Sequence, residues 1–277
     1  MRRTLPAVLR RHPRILVGSL ILLVVTVLAI GAGVFSSNDP VVQNLELAYK
    51  TGVSGFPLGN DEFGRCIYSR LLYGARISLT VGFIAVGIGA VLGGLLGLVA
   101  AMSQGMIDTV IMRAMDAMLA IPGILLAIAI VAALGPGMSN VMLAVGISSI
   151  PSYARLVRGS VLSVREREFV EAARALGAST IRVARLHVVP NVLAPVLVVA
   201  TMQMGSAILS AAGLSFVGLG AQAPTPEWGS MLSRGRESLR IAPHIATYPG
   251  LAIFLTVMGF NFLGDGIRDY LDPRLNV

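Results

Sequence analysis

The chain has 277 residues, of which 55% are hydrophobic and 13% charged, and its mean hydropathy of +0.78 excludes an ordinary soluble domain. The net charge of +8 does not point to nucleic acid, because the cations, 21 of 22 of them arginine, stand where apolar runs stop instead of forming one polar face. One cysteine, Cys66, rules out an internal disulfide, and His12, His187 and His244 are too scattered for a metal cage.

Six segments approach the roughly 20 apolar residues that a membrane-crossing helix needs. They lie near Ile15–Val34, Ile77–Ala101, Met112–Leu134, Met138–Val157, Val192–Ala212 and Ile245–Leu263. The expected fold is therefore an all-α polytopic membrane protein with six transmembrane helices. Small residues (Ala29, Ala32) stand at the far end of the first span, as they do at the end of a secretory signal. Its uncharged run is longer than the 7–15 residues of a signal core, so it reads as an uncleaved anchor.

Arg2, Arg3, Arg10, Arg11 and Arg14 precede the first span, which puts the N-terminus in the cytoplasm. Six crossings then return the C-terminus to the same side, so both termini are expected to be cytoplasmic. On this scheme the chain divides into a cytoplasmic N-terminus (1–14), a first helix with an extracytoplasmic segment (15–76) and a five-helix transmembrane domain (77–277). The arginine-rich loop between spans four and five falls inside. The stretches from about Phe35 to Tyr73 and from Gly213 to His244 fall outside.

Within the second span Gly89, Gly93 and Gly97 recur every fourth residue, a spacing that lets another helix approach closely, although glycine is also simply frequent in such helices. Pro122, Pro151, Pro195 and Pro249 lie in or at the ends of four spans, where kinks along a pathway and plain structural kinks are equally consistent readings. No ionisable group stands clearly deep in a span, which weighs against a proton-coupled carrier. Asp116 comes nearest, and Arg113 three residues before it is expected to pair with it.

The cytoplasmic loop, about 159–190, is long for a connector. Ser163-Val164-Arg165-Glu166 has the form of a capping box, which predicts a helix starting near Val164. Phe169, Ala172 or Ala173, and Leu176 then repeat at helical spacing. Gly177 suits the left-handed position that ends such a helix, Ser179 or Thr180 can cap a second one running to Val189, and Pro190 fits the first turn of span five. From the residues alone, a solvated connector and a docking element for a soluble partner are both open.

Glu171-Ala172-Ala173, three residues, Gly177 and, further on, His187-Val188-Val189-Pro190 resemble the loop of bacterial ABC importer permeases. His187 and Val189 depart from the usual Ile and Leu, and histidine there is usual in the peptide-importer branch. Pro57–Arg65, Ser69–Arg76, Leu214–Gly220, Pro224–Gly229 and the tail Leu263–Arg274 are similar to blocks of the C-type subunit of dipeptide and oligopeptide importers. Asn60 and Cys66 replace the commoner Thr and Asp, and Ala211 stands where many members carry Glu. Residues Ile208 to Pro243 resemble the glutathione-importer version, and the nickel-importer version shares the scaffold.

The resemblance implies the type I importer permease fold in the bacterial inner membrane, without cofactors. It implies a heterodimer with a homologous B-type permease, two cytoplasmic ATP-binding subunits and an extracytoplasmic substrate-binding protein. It also implies that Glu171, Ala172, Ala173, Leu176, Gly177 and Pro190 form the ATPase-docking and coupling element. The cargo expected is a di- or oligopeptide, with glutathione or a nickel chelate as the alternative and a secondary carrier as a remote one. No enzymatic role is expected: the only lysine, Lys50, lacks the neighbouring glycines that a phosphate-cradling loop requires, so ATP must be bound by other subunits. Trp228 with Glu227 is read either as a contact for the binding protein or as an interfacial anchor. Asp265, Asp269 and Asp272 with Arg268 are read either as an ATPase contact or as a local ion pair.

Overall fold

A computed structural model describes residues 13–271, and within them the long elements are all helical. Helix α1 (Pro13–Ile30) packs along α9 (His244–Leu271) and against α2 (Ile67–Ser103). Arg76 of α2 fastens this corner by donating to the free carbonyls of Ala29 and Ile30 at the end of α1, both at 2.6 Å. A short helical turn, Ala32–Phe35, follows α1.

α2 is 37 residues long, well over the expected Ile77–Ala101. At 1.5 Å per residue it runs to about 55 Å, so its first turns stand outside the roughly 30 Å hydrocarbon layer. Its middle carries a π turn, Gly89–Gly93, where it meets α5 (Met138–Arg165). The glycine spacing does mark a tight contact: a Cβ at Gly93 would strike the Ile150 carbonyl oxygen, and one at Gly97 that of Ala154.

The third expected span is not one helix. α3 (Gly105–Leu119) and α4 (Gly123–Leu134) meet at 90°. Pro122 lacks an N–H and pushes Ile121 away from the helical region, while its own carbonyl accepts from Leu125 and Leu126 and so starts α4. Nor does Asp116 pair with Arg113. It accepts from Arg155 of α5 at 2.7 Å, and Asp108 accepts from Nε and Nη2 of Arg158, each at 2.6 Å, so two ion pairs hold α3 against α5.

Among the described residues α1, α2, α7 (Thr180–Phe216) and α9 are long and apolar enough to cross a membrane, and the bent α3–α4 pair makes a fifth candidate. α5 is long enough at 28 residues but carries Ser148, Ser149, Ser152, Arg155 and Arg158. Pro195 and Pro249 sit inside α7 and α9.

The outer segment is held by a buried charge cluster. Asp61 accepts from the Arg65 side chain at 2.6 Å and from the backbone N–H groups of Phe63 and Arg65, and Arg70 lies 3.5 Å from it. Glu62 binds Arg65 at 3.0 Å and stands 3.6 Å from Arg234 of α8 (Trp228–Glu237). Removing one partner of such a cluster leaves uncompensated buried charge. Asp61→Ala is therefore expected to destabilise the protein by about 3–5 kcal/mol, whereas Asp61→Asn, which keeps a side-chain oxygen to accept from the Phe63 and Arg65 N–H groups, should lose less. Thermal unfolding of the detergent-solubilised protein measures the difference.

α8 is a helix that periodicity did not reveal. Glu227 caps it, accepting from the N–H groups of Gly229 and Ser230 at 2.8 Å. Burial pushes this carboxyl above its ordinary range, against the lowering effect of those two bonds. Trp228 is neither an interfacial anchor nor a free contact surface: it is 2% exposed and donates to the Leu71 carbonyl at 3.0 Å. Cys66 is also buried, so its labelling cannot report which side of the membrane it faces. In the tail Asp269 pairs with Arg14 at 3.2 Å, while Asp272 and the arginines before residue 13 lie outside the described residues.

Candidate coupling loop and the family it belongs to

The cytoplasmic loop is built on a cluster of valines. Val157, Val161 and Val164 of α5 pack with Val170 of α6 (Glu168–Ala175), with Val183, Val188 and Val192 of α7, and with Ala101 of α2. This burial explains why the predicted capping box is not used. α5 runs on through Ser163 to Arg165, because inserting Val161 and Val164 into the cluster outweighs the roughly 1 kcal/mol of a cap. α6 starts instead after Arg167, in extended conformation and without a side-chain cap. Arg165 reaches across and donates to the Ala101 carbonyl, tying the loop to the inner end of α2.

α6 ends as its glycine predicts. Gly177 has φ +83°, its N–H donates to Arg174 at 2.9 Å, and Ala178 donates to Ala173 at 3.0 Å, which together close the last turn. Ser179 then caps α7 by accepting from the Arg182 N–H. The expected second helix and span five are one continuous helix, widened into a π turn at Ala184–Val188. Pro190 follows that turn: its ring cannot fit the carbonyl of a regular preceding turn, and the wider π geometry relieves it. Asn191 supplies a side-chain donor to the His187 carbonyl at 2.7 Å.

Of the predicted coupling residues, Glu171, Ala172, Leu176 and Gly177 share the exposed end of α6, with Leu176 at 89% exposure. Ala173 turns inward onto the valine cluster, and Pro190 lies apart, exposed on α7. The inner face of α6 is made by Val170 and not by Phe169, which stays exposed with its ring 6.2 Å from that of His187. Periodicity within the loop missed Val170, Val183 and Val188 as anchors and Ile181, 80% exposed, as outer surface. Val161 and Val164, one helical turn apart and in register with Val157, were the visible signal that α5 continues.

Residues 93–277 match the family described as "Binding-protein-dependent transport system inner membrane component". The chain belongs to this family. The permease is 54% identical over 217 residues to the glutathione transport system permease protein GsiD of Escherichia coli O6:K15:H31, covering 78% of this chain and 72% of that one. It is 46% identical over 267 residues to the dipeptide transport system permease protein DppC of Alkalihalophilus pseudofirmus, covering 96% and 88%. Its fold matches a solved inward-facing structure of the MetNI methionine ABC transporter with a TM-score of 0.58 at 19% identity, over 72% of this chain and 95% of that one. The resemblance read from the loop and the outer blocks is thus borne out: this is an inner-membrane permease of an ABC importer, with an all-helical transmembrane fold.

Proposed function

We propose that this permease pairs with a homologous B-type permease to form the path, and that two cytoplasmic ATPase subunits dock on loop 159–190. An extracytoplasmic binding protein then delivers a dipeptide, an oligopeptide or glutathione. The observation that carries the docking reading is the division of α6 into two faces. Val170 and Ala173 fasten it to the valine cluster, while Glu171, Ala172 and Leu176 are left outward on a rigid mount. An apolar side chain as exposed as Leu176 beside the low relief of Ala172 suits a groove on a soluble partner.

In this scheme the chain crosses the membrane six times, counting α5 and the α3–α4 pair, with both ends in the cytoplasm. ATP-driven closure of the partner subunits moves α6 as a lever, with Gly177 and the Pro190 region as hinges, and the permease pair opens toward the binding protein. Hydrolysis resets it. Asp108 and Asp116 are occupied by Arg158 and Arg155, which leaves them poor proton relays and speaks against a secondary carrier.

The cargo is tested on the partner binding protein. At ligand concentrations about 100 times Kd a true ligand stabilises it by about 2.7 kcal/mol. A dipeptide, an oligopeptide or glutathione is expected to raise its melting temperature, and a rise with nickel chelates alone sinks the peptide reading. Uptake by vesicles holding all partners should need ATP, and uptake without ATP would restore the carrier.

A further inference from the structure

Two long helices carry uncharged polar side chains along their middle turns. Ser148, Ser149 and Ser152 lie near the midpoint of the 28-residue α5, Gln203 and Ser206 near the midpoint of the Val189–Phe216 part of α7, and Ser210 one turn further out. All six line one cavity of about 190 Å³, whose third side is the first turn of α4, just past the 90° bend. The Ser148 and Ser149 hydroxyls donate to the Val145 and Gly146 carbonyls at 2.9 and 2.7 Å, which leaves their oxygens free to accept. The side chains of Ser152, Gln203, Ser206 and Ser210 have no partner among the described residues, and Ser152 and Ser206 are exposed.

A 28-residue helix is about 42 Å long, so its midpoint falls near the centre of a hydrocarbon layer of about 30 Å. Unpaired polar groups at that depth do not face lipid. The polarity also continues toward the cytoplasm on the same face of α5, since Ser148, Ser152 and Arg155 follow at helical spacing and Arg155 is neutralised by Asp116. A polar track thus runs from mid-membrane to the inner end, uncharged at its centre and charge-balanced below.

We propose that this cavity is where cargo in transit touches the permease, and that it takes zwitterionic amide ligands by hydrogen bonds without selecting for net charge. This rests on the importer reading above. Serine hydroxyls and the glutamine amide both donate and accept, so the same lining serves an ammonium, a carboxylate and a peptide group. A fixed charge at that depth would hold cargo of opposite sign and repel cargo of like sign, whereas passage requires weak binding.

The test uses the whole transporter, purified with its partners and reconstituted. A cationic methanethiosulfonate reagent should modify Ser152→Cys and Ser206→Cys but not Leu255→Cys, which is exposed on α9. Buried Cys66 gives little background. In the same assembly Ser206→Asp should lower uptake of Glu-Ala relative to Lys-Ala by about tenfold, the scale of like-charge repulsion in a partly solvated site, and Ser206→Asn should leave the ratio at the wild-type value. Unlabelled cysteines, or an unchanged ratio in Ser206→Asp, overturn the proposal while wild-type uptake keeps the importer reading intact. If the wild-type assembly takes up neither dipeptides nor glutathione, the amide-ligand class and the peptide reading beneath it both fall.

Discussion

Gly97→Leu is expected to leave almost no folded permease in the membrane, while Gly94→Ala, three residues away on the same helix, should be tolerated. The difference is in what each side chain meets. A Cβ at Gly97 falls on the Ala154 carbonyl and a Cβ at Gly93 on that of Ile150, both backbone atoms of α5. A Cβ at Gly94 meets only the Val157 side chain, at 3.9 Å, an ordinary contact. Overpacking against movable side chains costs about 1–3 kcal/mol, but backbone cannot rotate away, so here the helices must separate. Separation would expose Ala100, Ala101, Tyr153 and Ala154, all fully buried. It would also loosen the hold of Arg165 on the inner end of α2. Gly94→Ala should instead gain up to about 1 kcal/mol of helix propensity. Size-exclusion profiles and melting temperatures of the solubilised variants separate the two. Equal yields and equal melting of Gly97→Leu and wild type would show that α2 and α5 do not touch through this face.

Glycine spacing was legible because it is a property of one helix, read on one face. The same holds for the apolar runs, which located α1, α2, α5, α7 and α9, and for Gly177, whose left-handed role depends only on neighbours in sequence. What periodicity missed depends on residues far apart in the chain. The end of α5 is decided by Val161 and Val164 meeting Val170 and Val183, not by the capping pattern at Ser163. The bend at Pro122 was half visible, since proline marks a break but not its angle. The attachment of α3 is set by Arg155 and Arg158, which draw Asp116 and Asp108 to α5. Trp228 looked like a surface residue because nothing nearby in sequence reveals that Leu71 lies against it. In the coupling loop the spacing of Phe169, Ala172 or Ala173, and Leu176 did not reveal that Val170 is the anchor and that Phe169 and Leu176 stay exposed.

Gly177→Pro should abolish ATP-dependent uptake while the permease still inserts and assembles. Gly177 has φ +83°, a region that proline, fixed near −65°, cannot enter. The Gly177 N–H that donates to Arg174 is lost at the same time. The turn that closes α6 would therefore open, and Leu176 and Glu171 would no longer be presented on a fixed mount. The membrane helices themselves do not depend on this turn, because Val170 and Val183 belong to a cluster held largely by α5 and α7. Space is not the issue: nothing lies within 4 Å of a Cβ at this position. A residue that tolerates the left-handed region should then rescue function. Gly177→Asn is expected to transport near the wild-type rate, and Gly177→Val, which pays about 1–2 kcal/mol to adopt that backbone, to fall between. Glu171→Lys changes the charge on the same exposed end without touching the turn, and should also stop uptake if that end meets an ATPase. Uptake by reconstituted vesicles, with ATPase activity and co-purification of the ATPase subunits measured alongside, tells a broken lever from a lost partner. Wild-type uptake in Gly177→Pro would falsify the lever assignment, and equal loss in Gly177→Asn and Gly177→Pro would show that the backbone conformation is not what matters there.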